Sequence, residues 1–167
     1  MNQWALIVGF LCSAVCAASF VNEVVKRQVK INSLVVRTDM TIHYTSAKTG
    51  EAYVFGLEAE RERDLAYISF YDADEVKDLA SRKLPSCPNG QKDRVCWEVN
   101  LEKAEGKLGV KMANLNALHA YAKKVKLEDP FRLTYDFETH FWSPYETKKQ
   151  KTIIEYSFPF DCLDYLS

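Results

Sequence analysis

Phe131-Arg132-Leu133-Thr134-Tyr135-Asp136-Phe137 alternates apolar and polar side chains at every step. A period of two sends successive side chains to opposite faces of a pleated backbone, so Phe131, Leu133, Tyr135 and Phe137 share one face and Arg132, Thr134 and Asp136 the other. The stretch is predicted to be a strand with one side on a core and one in water. The same alternation returns at Val95, Trp97, Val99 and Leu101, against Arg94, Cys96, Glu98 and Asn100. It appears again at Leu108, Val110 and Met112, against Lys107, Gly109 and Lys111. Glu102-Lys103-Ala104-Glu105-Gly106, between these two runs, has the length of a hairpin connection ending in Gly. Cys96, on the polar side, is expected at the rim. Further strands are predicted over 29–36, 40–45, 53–59, 65–71 and 152–158, with Lys48-Thr49-Gly50 turning between two of them. Short strands at this spacing imply an all-β fold, an antiparallel β-sandwich or saddle-like sheet pair with at most one or two short helices. The helical candidates are 74–83, where Val76, Leu79 and Ala80 fall at helical spacing, and 115–126, helix-favouring in composition but without a clear cap.

A chain of 167 residues suits one domain, and 47% hydrophobic with 13% aromatic residues supplies enough apolar area to offset the entropy of ordering. The 22 basic and 23 acidic residues are interspersed. Such a balance gives no overall positive field to hold a phosphate backbone, and nucleic acid is not an expected partner. From Trp4 to Ala18 the chain is uncharged and apolar and ends in small residues, with Cys16 and Ala18 where a signal peptidase reads. The run is shorter than the roughly 20 residues a membrane-spanning helix needs. Residues 1–18 are therefore expected to be a signal peptide and 19–167 a single lumenal β domain, with no transmembrane segment in the chain. Export would leave Cys87, Cys96 and Cys162 in an oxidising compartment. Pro88-Asn89-Gly90 turns the chain between Cys87 and Cys96, which are expected to pair as a disulfide. Their spacing and the lack of a nearby His do not match a zinc knuckle. Cys162 is left over.

Asp72-Ala73-Asp74 has the spacing by which many glycosyltransferases hold a divalent metal. Glu75 and Asp78 beside it make the stretch a solvated acidic face instead, and no metal ligand set is assigned. His43, His119 and His140 fall on separate elements without a second ligand at metal spacing. No Gly-rich phosphate loop, nucleophile elbow or His-Glu-x-x-His is present, so no catalytic residue and no cofactor are assigned. Phe141-Trp142-Ser143-Pro144-Tyr145 carries large rings that either pack as a strand end and turn or form a partner contact.

Val21-Asn22-Glu23-Val24-Val25-Lys26-Arg27 and Phe141-Trp142-Ser143-Pro144-Tyr145-Glu146-Thr147-Lys148-Lys149-Gln150 resemble the start and an inner motif of the ribophorin I family. Ser-Pro-Tyr-x-Thr-x-x-Gln is the most specific part, and the likeness runs from Val21 to about Tyr156. Members of that family are subunits of the oligosaccharyltransferase complex, which moves a preassembled glycan from dolichol diphosphate to asparagine in the endoplasmic reticulum. The resemblance implies a non-catalytic accessory subunit, or a truncated form of one, since family members are longer and carry a later transmembrane helix. It implies an endoplasmic reticulum lumen location, with the other subunits of the complex and nascent polypeptides as partners. The Trp-Trp-Asp-Tyr-Gly motif of the catalytic subunit is absent here, where Trp4, Trp97 and Trp142 stand apart. The alternative expectation is a secreted soluble β-sandwich binding module unrelated to glycosylation.

Overall fold

Alternating apolar side chains organise two sheets in a computed structural model, which describes residues 20–32, 35–115, 117–120, 133–135 and 138–156. The predicted signal peptide, Cys162, most of 115–126 and most of the 131–137 run lie outside these residues. Strands β1 (Phe20–Asn32), β2 (Val35–Ser46), β3 (Ala52–Glu58), β4 (Leu65–Asp72), β5 (Lys77–Asp78) and β6 (Ser81–Lys83) come first. β7 (Arg94–Asn100), β8 (Glu105–Leu115), β9 (His119–Ala120), β10 (Leu133–Thr134), β11 (Glu146–Thr147) and β12 (Gln150–Tyr156) follow. One α-helical turn, α1 (Ala59–Glu62), separates β3 from β4, and a 3-10 turn covers Pro88–Gly90.

The larger sheet has seven strands in the order β11-β1-β2-β8-β4-β5, with β12 also on β1. The smaller runs β3-β7-β6, and β9 pairs with β10 in a third, two-stranded ladder. The pairs are antiparallel except on the outer edge of β1, which β11 and β12 join in parallel. The all-β expectation is met. Phe55, Trp97 and Val99 of the small sheet meet Ile42, Phe70, Leu108 and Val110 of the large one in a single buried cluster. Phe55 packs edge-on to Phe70 at 5.4 Å between ring centres. These are the two inner faces of a sandwich.

Three local expectations are corrected. The runs at β7 and β8 alternate as predicted, yet they are not a hairpin: β7 pairs with β3 and β6, and β8 with β2 and β4. Their connection crosses between sheets, as does the Lys48-Thr49-Gly50 turn, where Gly50 takes φ +72. Alternation fixes which side of each strand is buried, and both sheets offer an apolar face to the same core.

The strand predicted over 29–36 is two strands, because β1 and β2 fold back between Asn32 and Val35. β1 begins far earlier than expected, at Phe20. Its alternation is broken by a bulge between Asn22 and Val24, which moves the buried set from Phe20 and Asn22 to Val25, Arg27, Val29 and Ile31. Arg27 in an inward position adds to the disguise.

The helix expected at 74–83 does not form. Asp72 Oδ1 accepts the backbone N–H groups of Asp74 and Glu75 at 2.8 and 3.1 Å as a helix cap would, but the chain turns at Val76 and β5 pairs back on β4. Val76, expected on a buried helical face, is the turn's exposed tip, 79% accessible and at positive φ. Leu79 alone of the three packs on the core.

Truncating Phe55 to Ala is expected to cost about 3–5 kcal/mol of unfolding free energy, against under about 0.5 kcal/mol for Ile153→Ala on the exposed edge strand. Urea unfolding of the two variants reads the difference, and equal losses would contradict the sandwich interior assigned here.

Candidate functional site

Asn22 is the only fully buried amide among the described residues, with no accessible surface. The bulge after it turns its side chain inward, where an unpaired amide would cost a desolvation penalty. It has three partners. Asn22 Oδ1 accepts the hydroxyl of Tyr53 at 3.0 Å, and Asn22 Nδ2 donates to Ser143 Oγ at 3.0 Å and to Thr147 Oγ1 at 3.1 Å. Ser143 Oγ also accepts the N–H of Tyr145. Around these bonds Phe20, Tyr53 and Tyr145 form a knot, with ring centres 4.9 to 5.4 Å apart. Burial pushes the Tyr53 phenol well above its ordinary value.

The segment 141–145 lies along β3, the edge strand of the small sheet. Phe141 tucks inside against Phe55, at 5.8 Å between ring centres. Trp142 lies over Gly56, where a Cβ would stand 2.2 Å from the indole, and so closes the opposite face of the strand. The hydroxyl of Tyr145 accepts the N–H of Val54 at 2.9 Å, satisfying an edge donor. An edge strand is thereby blocked on both faces and along its backbone. Gln150 finishes the loop: its Oε1 accepts the N–H of Phe141 and its Nε2 donates to the Thr139 carbonyl, both at 2.7 Å.

Ser143, Tyr145, Thr147 and Gln150 of the Ser-Pro-Tyr-x-Thr-x-x-Gln motif thus each hold the fold together. Asn22, from the other stretch of the resemblance, is what they grip, 121 residues away from Ser143. The two stretches that carry the resemblance touch in the fold, a contact that likeness in sequence does not reveal.

A cationic layer lies beside the knot. Arg27, 7% exposed, donates to the carbonyls of Glu138 and Thr139 at 2.6 and 3.2 Å. Burial and then the nearby Arg61 hold its pKa below the usual guanidinium range. Arg94 bonds the Glu138 carboxylate at 2.6 Å and stacks on Trp142, 4.8 Å from the ring centre. The cavity among Arg27, Arg61, Asn114, Tyr135 and Glu138 measures about 30 Å³, room for a water or two and far below a ligand pocket. Arg27 and Arg94 did not stand out in the sequence as inward groups, because an Arg within an alternating strand normally marks the wet face.

Cys87 and Cys96 are joined, with Cα atoms 5.3 Å apart. The bridge is not at the rim as expected: Cys96 is 1% exposed, because its cross-strand partner Gly56 is roofed by Trp142. Asp72 and Asp74 do not converge. Lys103 bridges Asp72 and Glu75 at 3.0 and 2.6 Å, and Lys107 holds Asp74. Burial pushes the Asp72 carboxyl up, but Lys103 and the two backbone N–H donors outweigh it and hold the group below the ordinary value. His43 and His140 sit on different elements, His43 on the outer face of β2 and His140 exposed beside Thr139. No helix among the described residues is long and apolar enough to cross a membrane.

In this β-sandwich the Ser-Pro-Tyr-x-Thr-x-x-Gln motif is spent on internal clasps. The ribophorin I family matches residues 20–159, most of the chain. The chain belongs to the ribophorin I family, which implies a subunit of the oligosaccharyltransferase complex of protein N-glycosylation and an endoplasmic reticulum setting. Comparison with curated proteins found no match.

Replacing Asn22 by Ala strips partners from Tyr53, Ser143 and Thr147 together, and a loss of about 3 kcal/mol in unfolding free energy is expected. Combined with Tyr53→Phe the losses should fall short of additive, since both remove one bond. Strict additivity in denaturant unfolding would show that the network is not shared.

The Tyr53 phenol is held neutral in the fold and titrates in the unfolded chain near pH 10, so the folded state binds the extra proton above that pH. Stability is expected to be full below pH 10 and to fall above it, by up to about 1.4 kcal/mol per pH unit from this group. Tyr53→Phe should flatten that fall, and an unchanged slope would contradict the assignment.

Proposed function

We propose that the chain serves the oligosaccharyltransferase complex as a non-catalytic accessory subunit, a lumenal β domain that helps hold or orient acceptor polypeptides. The observation that carries this reading is the ribophorin I match over residues 20–159, which takes in both clasped motifs. It agrees with a site whose polar groups are consumed by one another: Asn22, Tyr53, Ser143 and Thr147 bond among themselves, and Asp72 and Asp74 bond lysines. Residues 1–18 act in this reading as the export signal, residues 19–167 form one unit, and the partners are the other subunits and passing nascent chains. The contact expected of Phe141, Trp142, Ser143, Pro144 and Tyr145 narrows to the half-buried Trp142, Ser143 and Pro144. Phe141 and the Tyr145 ring are committed to the core.

The tagged chain, expressed in cells and isolated from detergent-solubilised microsomes, is expected to bring down the catalytic subunit of the complex. Recovery without any subunit of the complex, with the bulk of the protein in the medium, would overturn the proposal and favour the secreted binding module.

A further inference from the structure

The near-neutral charge of the whole chain hides an uneven distribution. The buried positions of β1, β2 and β8 point inward, and the half-buried Gln150, Thr152 and Ile154 of β12 share that side in register with β1, so the alternate positions face outward. On that outer face stand Lys26, Lys30, Arg37, Lys107, Lys111 and Lys151, with Asp39, Glu105 and Glu155 as the carboxylates among them. Lys30 reaches Asp39 at 3.9 Å, Lys107 holds Asp74, and Glu155 takes the amide of Gln28. Lys26, Arg37, Lys111 and Lys151 are exposed, and among the described residues none of them has a carboxylate at ion-pair distance.

Register makes the excess sharper. Lys26 and Lys151 stand directly opposite each other on β1 and β12, an arrangement of like charges that destabilises a ladder. Lys111 lies over the ring of Tyr71 at 4.8 Å, and Tyr67, 52% exposed, adds a second aromatic surface on β4. A cationic face that costs the fold something and is dotted with rings is suited to an external anion.

Shape chooses among anions. Neighbouring strands rotate by roughly 20–25°, so the face turns by roughly 90° between β12 and β4. A flat bilayer meets such a saddle along one diagonal only, whereas a flexible chain follows it. We infer that the outer face formed by β12, β1, β2 and β8 binds an acidic segment of another polypeptide, its carboxylates paired with Lys26, Arg37, Lys111 and Lys151. The inference rests on the charge and register of this sheet and is independent of the family role.

The purified full chain is titrated, at low salt, against a fluorescent peptide of about fourteen residues alternating Glu and Ser. Binding is expected, with affinity falling several-fold on moving to physiological salt. Reversing three lysines together, Lys26→Glu, Lys111→Glu and Lys151→Glu, should weaken it about tenfold or more. The neutral set Lys26→Gln, Lys111→Gln and Lys151→Gln should give an intermediate loss, and Lys48→Glu with Lys92→Glu, away from this face, no change. Melting curves confirm that each variant is folded, and the neutral set carries the test should the reversed set not fold. No peptide binding at low salt, or equal binding by folded triple variants, overturns the inference. So does capture by phosphatidylcholine vesicles containing about 30% phosphatidylserine in the absence of peptide binding.

Discussion

A single buried amide, that of Asn22, determines how the pieces of this domain meet. Burying it without partners would cost a few kcal/mol, so the fold has to deliver a hydroxyl from β3 and two from the 143–147 segment to one point. The bulge after Asn22 is what points it inward while Val25 and Val29 keep facing the core. Beyond the bulge, the N–H of Lys148 bonds the Asn22 carbonyl and the N–H of Val25 bonds the Lys149 carbonyl. β12 can then run parallel to β1 for seven paired positions. The same strand is thereby tied to its hairpin partner on one side and to a segment more than a hundred residues distant on the other. Such long-range closure is costly in loop entropy and is stable only if the polar groups at the junction are all satisfied.

The clasp also decides what is left for a partner. The motif shared with ribophorin I reads as surface chemistry in one dimension, with Trp, Tyr, Lys and Gln in a short run. In three dimensions Phe141 and Tyr145 are core, Trp142 roofs Gly56, and Ser143, Thr147 and Gln150 hold backbone and amide groups. The motif therefore identifies a shape, and any recognition has to use surfaces the clasp leaves open. The outer face of the large sheet is one of these, and its lysines are placed by register rather than by any contiguous stretch of sequence.

Class was legible in the sequence because alternation is a local property: β7 and β8 bury Trp97, Val99, Leu108 and Val110, as their spacing requires. Pairing was not legible, because Trp97 and Val110 would look the same whether their strands were neighbours or faced each other across a core. β1 escaped notice where its period breaks at Glu23 and where Arg27 takes an inward position, its cost met by the Glu138 and Thr139 carbonyls. The 74–83 segment misled because three apolar residues at helical spacing say nothing about the turn at Val76, where the chain takes positive φ and folds back to pair β5 with β4. The Cys87–Cys96 bridge was legible from its turn, and its depth was not, since the ring that covers it lies 46 residues further on at Trp142.

Amide hydrogen exchange at Val54 and Phe141 tests the clasp most directly. Neither N–H bonds another backbone group; one is held by the Tyr145 hydroxyl and the other by the Gln150 side chain. Protection approaching that of the β2–β8 ladder is expected at both. Exchange at the rate of an open edge strand would contradict the view that these side chains close the sandwich.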